Sequence, residues 1–126
     1  MEISNSDPNY KVWNDEETEI VFFEGSLRLG GPEEYKPIAD LLKDVAERLE
    51  NDKIIVNLEK LEFLNSSGIS MLSKFTIWVR QKKTLKLEII GSKKIPWQGK
   101  SLKNLKRLMP NVDLKFIDPS ESGDKT

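Results

Sequence analysis

Ile54-Ile55-Val56-Asn57-Leu58, then Leu64-Asn65-Ser66-Ser67-Gly68, then the run from Ile69 to Lys82 decide how this chain folds. The first segment is almost continuously apolar, as strands buried on both faces of a parallel sheet are. The run from Ile69 is amphipathic with a helical period. Small polar residues lie between. This order predicts a strand that feeds a helix, with the hydroxyls of Ser66 and Ser67 adjacent at the helix N-terminus. Backbone N–H groups and the helix dipole both favour negative charge there, so the position suits a phosphate.

Working outward, Tyr10-Lys11-Val12-Trp13 and Glu19-Ile20-Val21-Phe22-Phe23 read as strands joined by the polar turn Asn14-Asp15-Glu16-Glu17. Gly25 punctuates the chain, and Ser26-Leu27-Arg28-Leu29 alternates as a further short strand. Pro32 suits a first helical turn, where a missing N–H costs nothing. Ile38, Leu41, Leu42, Val45 and Leu49 then trace one helical face, with Pro37 early enough to be tolerated or to restart the helix. Downstream, Leu85-Lys86-Leu87-Glu88-Ile89-Ile90 alternates as a strand closed by Gly91. A helix from about Gln98 to Met109 turns Leu102, Leu105, Leu108 and Met109 inward, and Pro110-Asn111 stops it. Val112 to Ile117 reads as the last strand. Alternating strands and helices predict an α/β fold: a mixed, mostly parallel sheet with an N-terminal antiparallel hairpin and about three helices packed on it. Residues 1–9 read as a flexible leader, 10–118 as one domain and 119–126 as a disordered tail.

Composition removes several classes of function. There is no cysteine and no histidine, so thiolate chemistry, the usual zinc ligands and the usual general base are missing. Neither a metal site nor a cofactor is expected. No apolar run approaches the roughly 18 residues of a membrane span, and Met1-Glu2-Ile3-Ser4-Asn5 lacks the basic and apolar regions of a signal peptide. The expectation is a cytoplasmic protein. Net charge is −1, yet residues 1–62 sum to −9 and residues 74–107 to +10. Such asymmetry steers partners or leaves two differently solvated faces.

At about 100° per residue, Gly68, Leu72, Phe75 and Val79 share one side of the second helix, flanked by Ile69 and Thr76. The opposite side carries Ser66, Ser70, Ser73 and Ile77, bordered by Met71 and Trp78. Small hydroxyls ending in a bare isoleucine, almost free of charge, predict a contact surface. A phosphate on Ser66 would place roughly −1.5 to −2 charges at its head, repelling one partner or recruiting another through arginine. The simpler reading makes Asn65 or Ser66 an N-cap and Gly68 a close-packing residue.

Residues Leu64-Asn65-Ser66-Ser67-Gly68 behind their apolar strand, together with Phe23-Glu24-Gly25-Ser26-Leu27-Arg28, resemble the STAS domain family of anti-sigma-factor antagonists. The resemblance runs from about residue 10 to 117 and lies nearest a STAS-like branch common in cyanobacteria. It implies partner switching: phosphorylation of Ser66, with Ser67 as second choice, by a GHKL-type serine kinase that doubles as an anti-sigma factor, and its reversal by a PP2C-type phosphatase. The output implied is a sigma factor or another signalling enzyme such as a cyclase. Asn65 stands where the family commonly has aspartate, and Arg28 where its strand signature usually has an acid. The expected partner-binding residues are Asn65, Ser66, Ser67, Ser70, Ser73, Ile77 and Trp97. A constitutive scaffold module, or a small-ligand site near residues 30–31 and 64–68, are the alternatives.

Other signals fall away. Gly99-Lys100-Ser101 lacks the first glycine of a P-loop at the required spacing. Ser66 and Ser67 have no histidine and no Gly-x-Ser-x-Gly elbow, so no hydrolase is expected. Lys93 to Arg107 holds six basic residues and no acid, but Trp97 is its only aromatic and the sequence pI is about 5.6, against nucleic-acid binding. The chain is expected to be no enzyme.

Overall fold

The structure is a computed structural model, and it describes residues 2–6, 9–49 and 52–118. The expected tail, 119–126, lies outside the described residues. The elements are β1 (Glu2–Ser6), β2 (Asn9–Asn14), β3 (Val21–Leu27), α1 (Pro32–Arg48), β4 (Lys53–Leu64), α2 (Ser66–Gln81), β5 (Lys86–Ser92), α3 (Pro96–Leu108) and β6 (Asp113–Ile117).

The strands form one sheet in sequence order, β1-β2-β3-β4-β5-β6. β1, β2 and β3 pair antiparallel, while β3 to β6 pair parallel. Each parallel neighbour is reached through one helix, and right-handed crossovers in a constant direction put all three helices on one face. α1 touches α2 and α2 touches α3, giving one helical layer over the sheet. The mixed, mostly parallel architecture with three helices expected from the sequence is therefore the one observed.

Strand periodicity sets the core. Along β4, Ile54, Val56, Leu58, Leu61 and Leu64 are buried beneath the helices. Ile38, Leu41, Leu42 and Val45 of α1 and Leu72, Phe75 and Val79 of α2 meet them. Each such side chain contributes about 1.5–3 kcal/mol when fully buried. On the far face, the alternation places Glu88 of β5 between Lys53 and Lys115.

Three local expectations are corrected. Residues 2–6, assigned to the leader, form β1, whose Ile3 pairs with Val12. An edge strand joins through its backbone and needs no apolar alternation, so composition does not reveal it. The two short strands around Gly25 are one strand, β3, because Gly25 takes φ 90° within it and bends the strand without ending it. β4 does not stop near Leu58 but runs to Leu64, with two register shifts against β3. Only Asn65 then separates strand from helix. Met71, at the border of the strip, is buried, because α1 lies against that flank of α2. Pro37 leaves α1 continuous.

Candidate docking site at the head of the second helix

Asn65 builds the corner between β4 and α2. It holds extended backbone angles and its N–H donates to Leu27 O at 3.1 Å. Its side-chain Oδ1 accepts from Gly68 N–H at 3.0 Å, an N-cap bond to one of the helix's orphan donors. The same oxygen accepts from the Tyr35 hydroxyl at 2.6 Å, and Nδ2 donates to Leu29 O at 2.8 Å. Asn65 thus joins β3, the approach to α1, α1 itself and α2. An aspartate would lack the Nδ2–H donor that Leu29 O uses, which accounts for asparagine at this position. The N-cap reading of Asn65 is the one observed, and its side-chain oxygen and nitrogen both bond within the chain.

Tyr35 is the residue that sequence reasoning missed. It is 1% exposed, and burial pushes its phenol above the ordinary value. The signal was present: Tyr35 shares a helical face with Ile38, Leu42 and Val45, and a buried phenol demands a partner. Gly68 answers the same crowding. A Cβ there would lie 2.2 Å from Leu64 Cδ1 and 2.7 Å from the Tyr35 hydroxyl, so only glycine lets the helix come this close.

Beyond this corner the serines are available. Ser66 and Ser70 are exposed, Ser67 and Ser73 half-buried, and Ile77 is 39% exposed. Ile77 is the one large apolar side chain so exposed among the described residues. The Ser66 hydroxyl has no hydrogen-bond partner among the described residues. The first turn of α2 carries no acidic residue, so the positive end of its dipole stands uncompensated. The structure therefore lines up Ser66, Ser70, Ser73 and Ile77 along one exposed side of α2, as their spacing predicts.

Trp97 stands apart from this strip, at the start of α3. Its indole N–H donates to Glu62 O at 3.0 Å, and the ring packs on the core. Beside it Gln98 is fully buried: Nε2 donates to Leu58 O and Leu61 O, and Oε1 accepts from Ser92 N–H. These are the β4 carbonyls around its register shift, so Gln98 satisfies what the bulge leaves open. Arg28, the other departure from the acidic pattern, stacks on Phe63 with its guanidinium 4.0 Å from the ring centroid. A groove of about 310 Å³ opens next to the strip, lined by Pro32, Tyr35, Ser67 and Ser70 among others. Among the described residues no cluster of carboxylates is placed to hold a metal ion, and no helix is long and apolar enough to cross a membrane.

No family model matches this chain, and no curated protein matches it by sequence. Its fold is similar to that of the activator chain in the crystal structure of the diguanylate cyclase SiaD in complex with its activator SiaC from Pseudomonas aeruginosa. The TM-score is 0.68 at 9% identity, over 94% of this chain and 98% of that chain, so what the two share is the fold.

Proposed function

We propose that this chain is a non-enzymatic regulator that binds a partner protein through the exposed side of α2 and is gated by phosphorylation at Ser66. The observation that carries the reading is the free, exposed Ser66 hydroxyl at the first turn of α2, heading a nearly uncharged strip that ends in Ile77. A phosphate there meets the uncompensated helix terminus and leaves the fold intact. A partner lying on the strip meets a doubly charged, hydrated group instead of a small hydroxyl. The resemblance to the STAS family supplies the enzymes: a GHKL-type serine kinase adds the phosphate and a PP2C-type phosphatase removes it. SiaC, which shares the fold, is an activator in complex with a diguanylate cyclase. A signalling enzyme is accordingly an output for this chain alongside a sigma factor.

The test is capture of native partners by the wild-type chain and by Ser66→Ala and Ser66→Glu, with phosphopeptide mapping of the chain recovered from cells. Ser66→Glu is expected to stay folded and to change the affinity of an identified partner at least tenfold. Phosphate is expected on Ser66 and absent from Ser66→Ala. Equal affinity of all three forms defeats the switch.

A further inference from the structure

The groove between α1 and α2 has a chemistry of its own. Its apolar lining is the half-buried Ala39, with Met71 and Phe75 only 6% and 2% exposed beneath, Lys43 and Lys74 are its charged members, and no carboxylate lines it. Farther along α2, the half-buried Trp78 ring has Lys43 Nζ at 5.8 Å and Lys82 Nζ at 4.6 Å from its centroid. Lys43, Lys74 and Lys82 form no ion pair among the described residues. Asp40, on the same helix as Lys43, is bound to Lys36 at 2.9 Å. Lys43 and Lys74 therefore line the trough and Lys82 stands beyond it at Trp78, and none of the three has an ion-pair partner among the described residues.

α1 and α2 run in the same direction, since each connects parallel strands. From Pro32 to Lys43 the trough follows about 16 Å of helix, or three turns. Its open side adjoins Ser70 and so continues into the serine strip. A trough between two helices with an apolar floor and charged edges is the surface into which a third helix packs. We infer that the groove seats an amphipathic helix of a partner protein whose apolar stripe lies on Ala39 and the Trp78 ring and whose flanking aspartates or glutamates meet Lys43, Lys74 and Lys82. This rests on the protein-docking reading of α2 and names the chemistry of the partner segment. Charge complementarity selects an acidic helix over a basic one, because a lysine-flanked helix would set like charges against three unpaired cations.

The probe is a fluorescein-labelled synthetic helix of about four turns, with leucines spaced three and four residues apart and glutamates at the flanking positions. A second peptide carries lysines in place of the glutamates. Fluorescence anisotropy is expected to show saturable binding of the glutamate peptide. The double variant Lys43→Glu/Lys74→Glu, at two surface positions, is expected to keep its circular dichroism spectrum, lose at least tenfold in affinity for that peptide and gain affinity for the lysine peptide. Equal binding of the glutamate peptide to both proteins overturns the inference. So does no binding of that peptide, or saturable binding of decanoate alone, which would make the groove a small-amphiphile site. Neither peptide carries phosphate and no kinase is present, so this result is independent of the Ser66 switch. An inert Ser66→Glu variant beside a working peptide defeats the switch and leaves the groove, and the converse leaves the switch.

Discussion

The Tyr35 hydroxyl donates to Asn65 Oδ1 at 2.6 Å, and that same oxygen caps α2 by accepting from Gly68 N–H. One atom thus holds the start of α2 against α1, and the orientation of Ser66 depends on it. Asn65→Ala removes both acceptor bonds and strands the Tyr35 hydroxyl and Leu29 O, at a cost of about 2–3 kcal/mol. Asn65→Asp keeps the cap and the phenol's acceptor but drops the donor to Leu29 O, so about 1 kcal/mol is expected. Urea denaturation of the two variants, with an unchanged slope, checks the order.

Gly68→Ala forces Leu64 and Tyr35 apart from α2, since the new methyl would sit 2.2 Å from Leu64 Cδ1. Alanine is the better helix former, so propensity alone predicts a gain of up to about 1 kcal/mol. Overpacking costs about 1–3 kcal/mol and reverses the sign. A melting temperature below wild type is the expected outcome; one above it would show that α2 moves away freely.

Gln98→Leu is expected to cost about 3 kcal/mol or more, although the replacement is apolar, similar in size and fully buried. It leaves Leu58 O, Leu61 O and Ser92 N–H without their partner, and each such buried group costs about 1–3 kcal/mol. Gln98→Glu would be worse still in kind, because a carboxylate cannot donate to the two carbonyls. Thermal melts and amide exchange of Ser92 measure the effect.

The contrast between α2 and the corner that starts it shows what sequence carries. Helical period alone placed Leu72, Phe75 and Val79 inward and Ser66, Ser70 and Ile77 outward, because a 16-residue helix repeats its signal several times. The Asn65 network was illegible beyond the cap itself. Tyr35, Leu29 and Leu27 lie 30 or more residues away in the chain, and no local pattern announces a hydrogen bond over that separation. Gln98 was hidden for the same reason, since its partners depend on the register shifts of β4. β4 itself was cut short because its continuous apolar run ends at Leu58, whereas the strand goes on through Glu59, Lys60 and Glu62 and buries Leu61 and Leu64.

Glu88 makes stability fall in acid. It is 4% exposed and bonded to Lys53 at 2.8 Å and Lys115 at 3.4 Å. The hydrogen bond from Lys53 leads in holding its carboxyl below the ordinary value of 4.5, against the opposing effect of burial. The unfolded chain therefore takes up a proton on this group before the folded chain does. Its contribution is complete above the unfolded value and is lost as pH falls through the lower folded value. Glu88→Gln is expected to flatten the stability profile as pH falls below the ordinary value of 4.5, while wild type declines. Denaturation midpoints across this range decide it, and parallel profiles would mean that the pair contributes nothing.

Ser66→Glu bears on the switch through stability rather than binding. The first turn of α2 holds no acid, so a carboxylate there gains from the dipole by about 0.3–1 kcal/mol at low salt. The same substitution at Ser73, in the middle of α2, meets no such field and is expected to be neutral or slightly harmful. The difference between the two variants should shrink as salt rises, because an exposed charge at a helix end is screened. A Ser66→Glu protein less stable than Ser73→Glu at every salt concentration would mean that an anion disturbs this corner. Phosphate would then act by loosening α2, and any change in partner affinity would have to be assigned to the fold rather than to the surface.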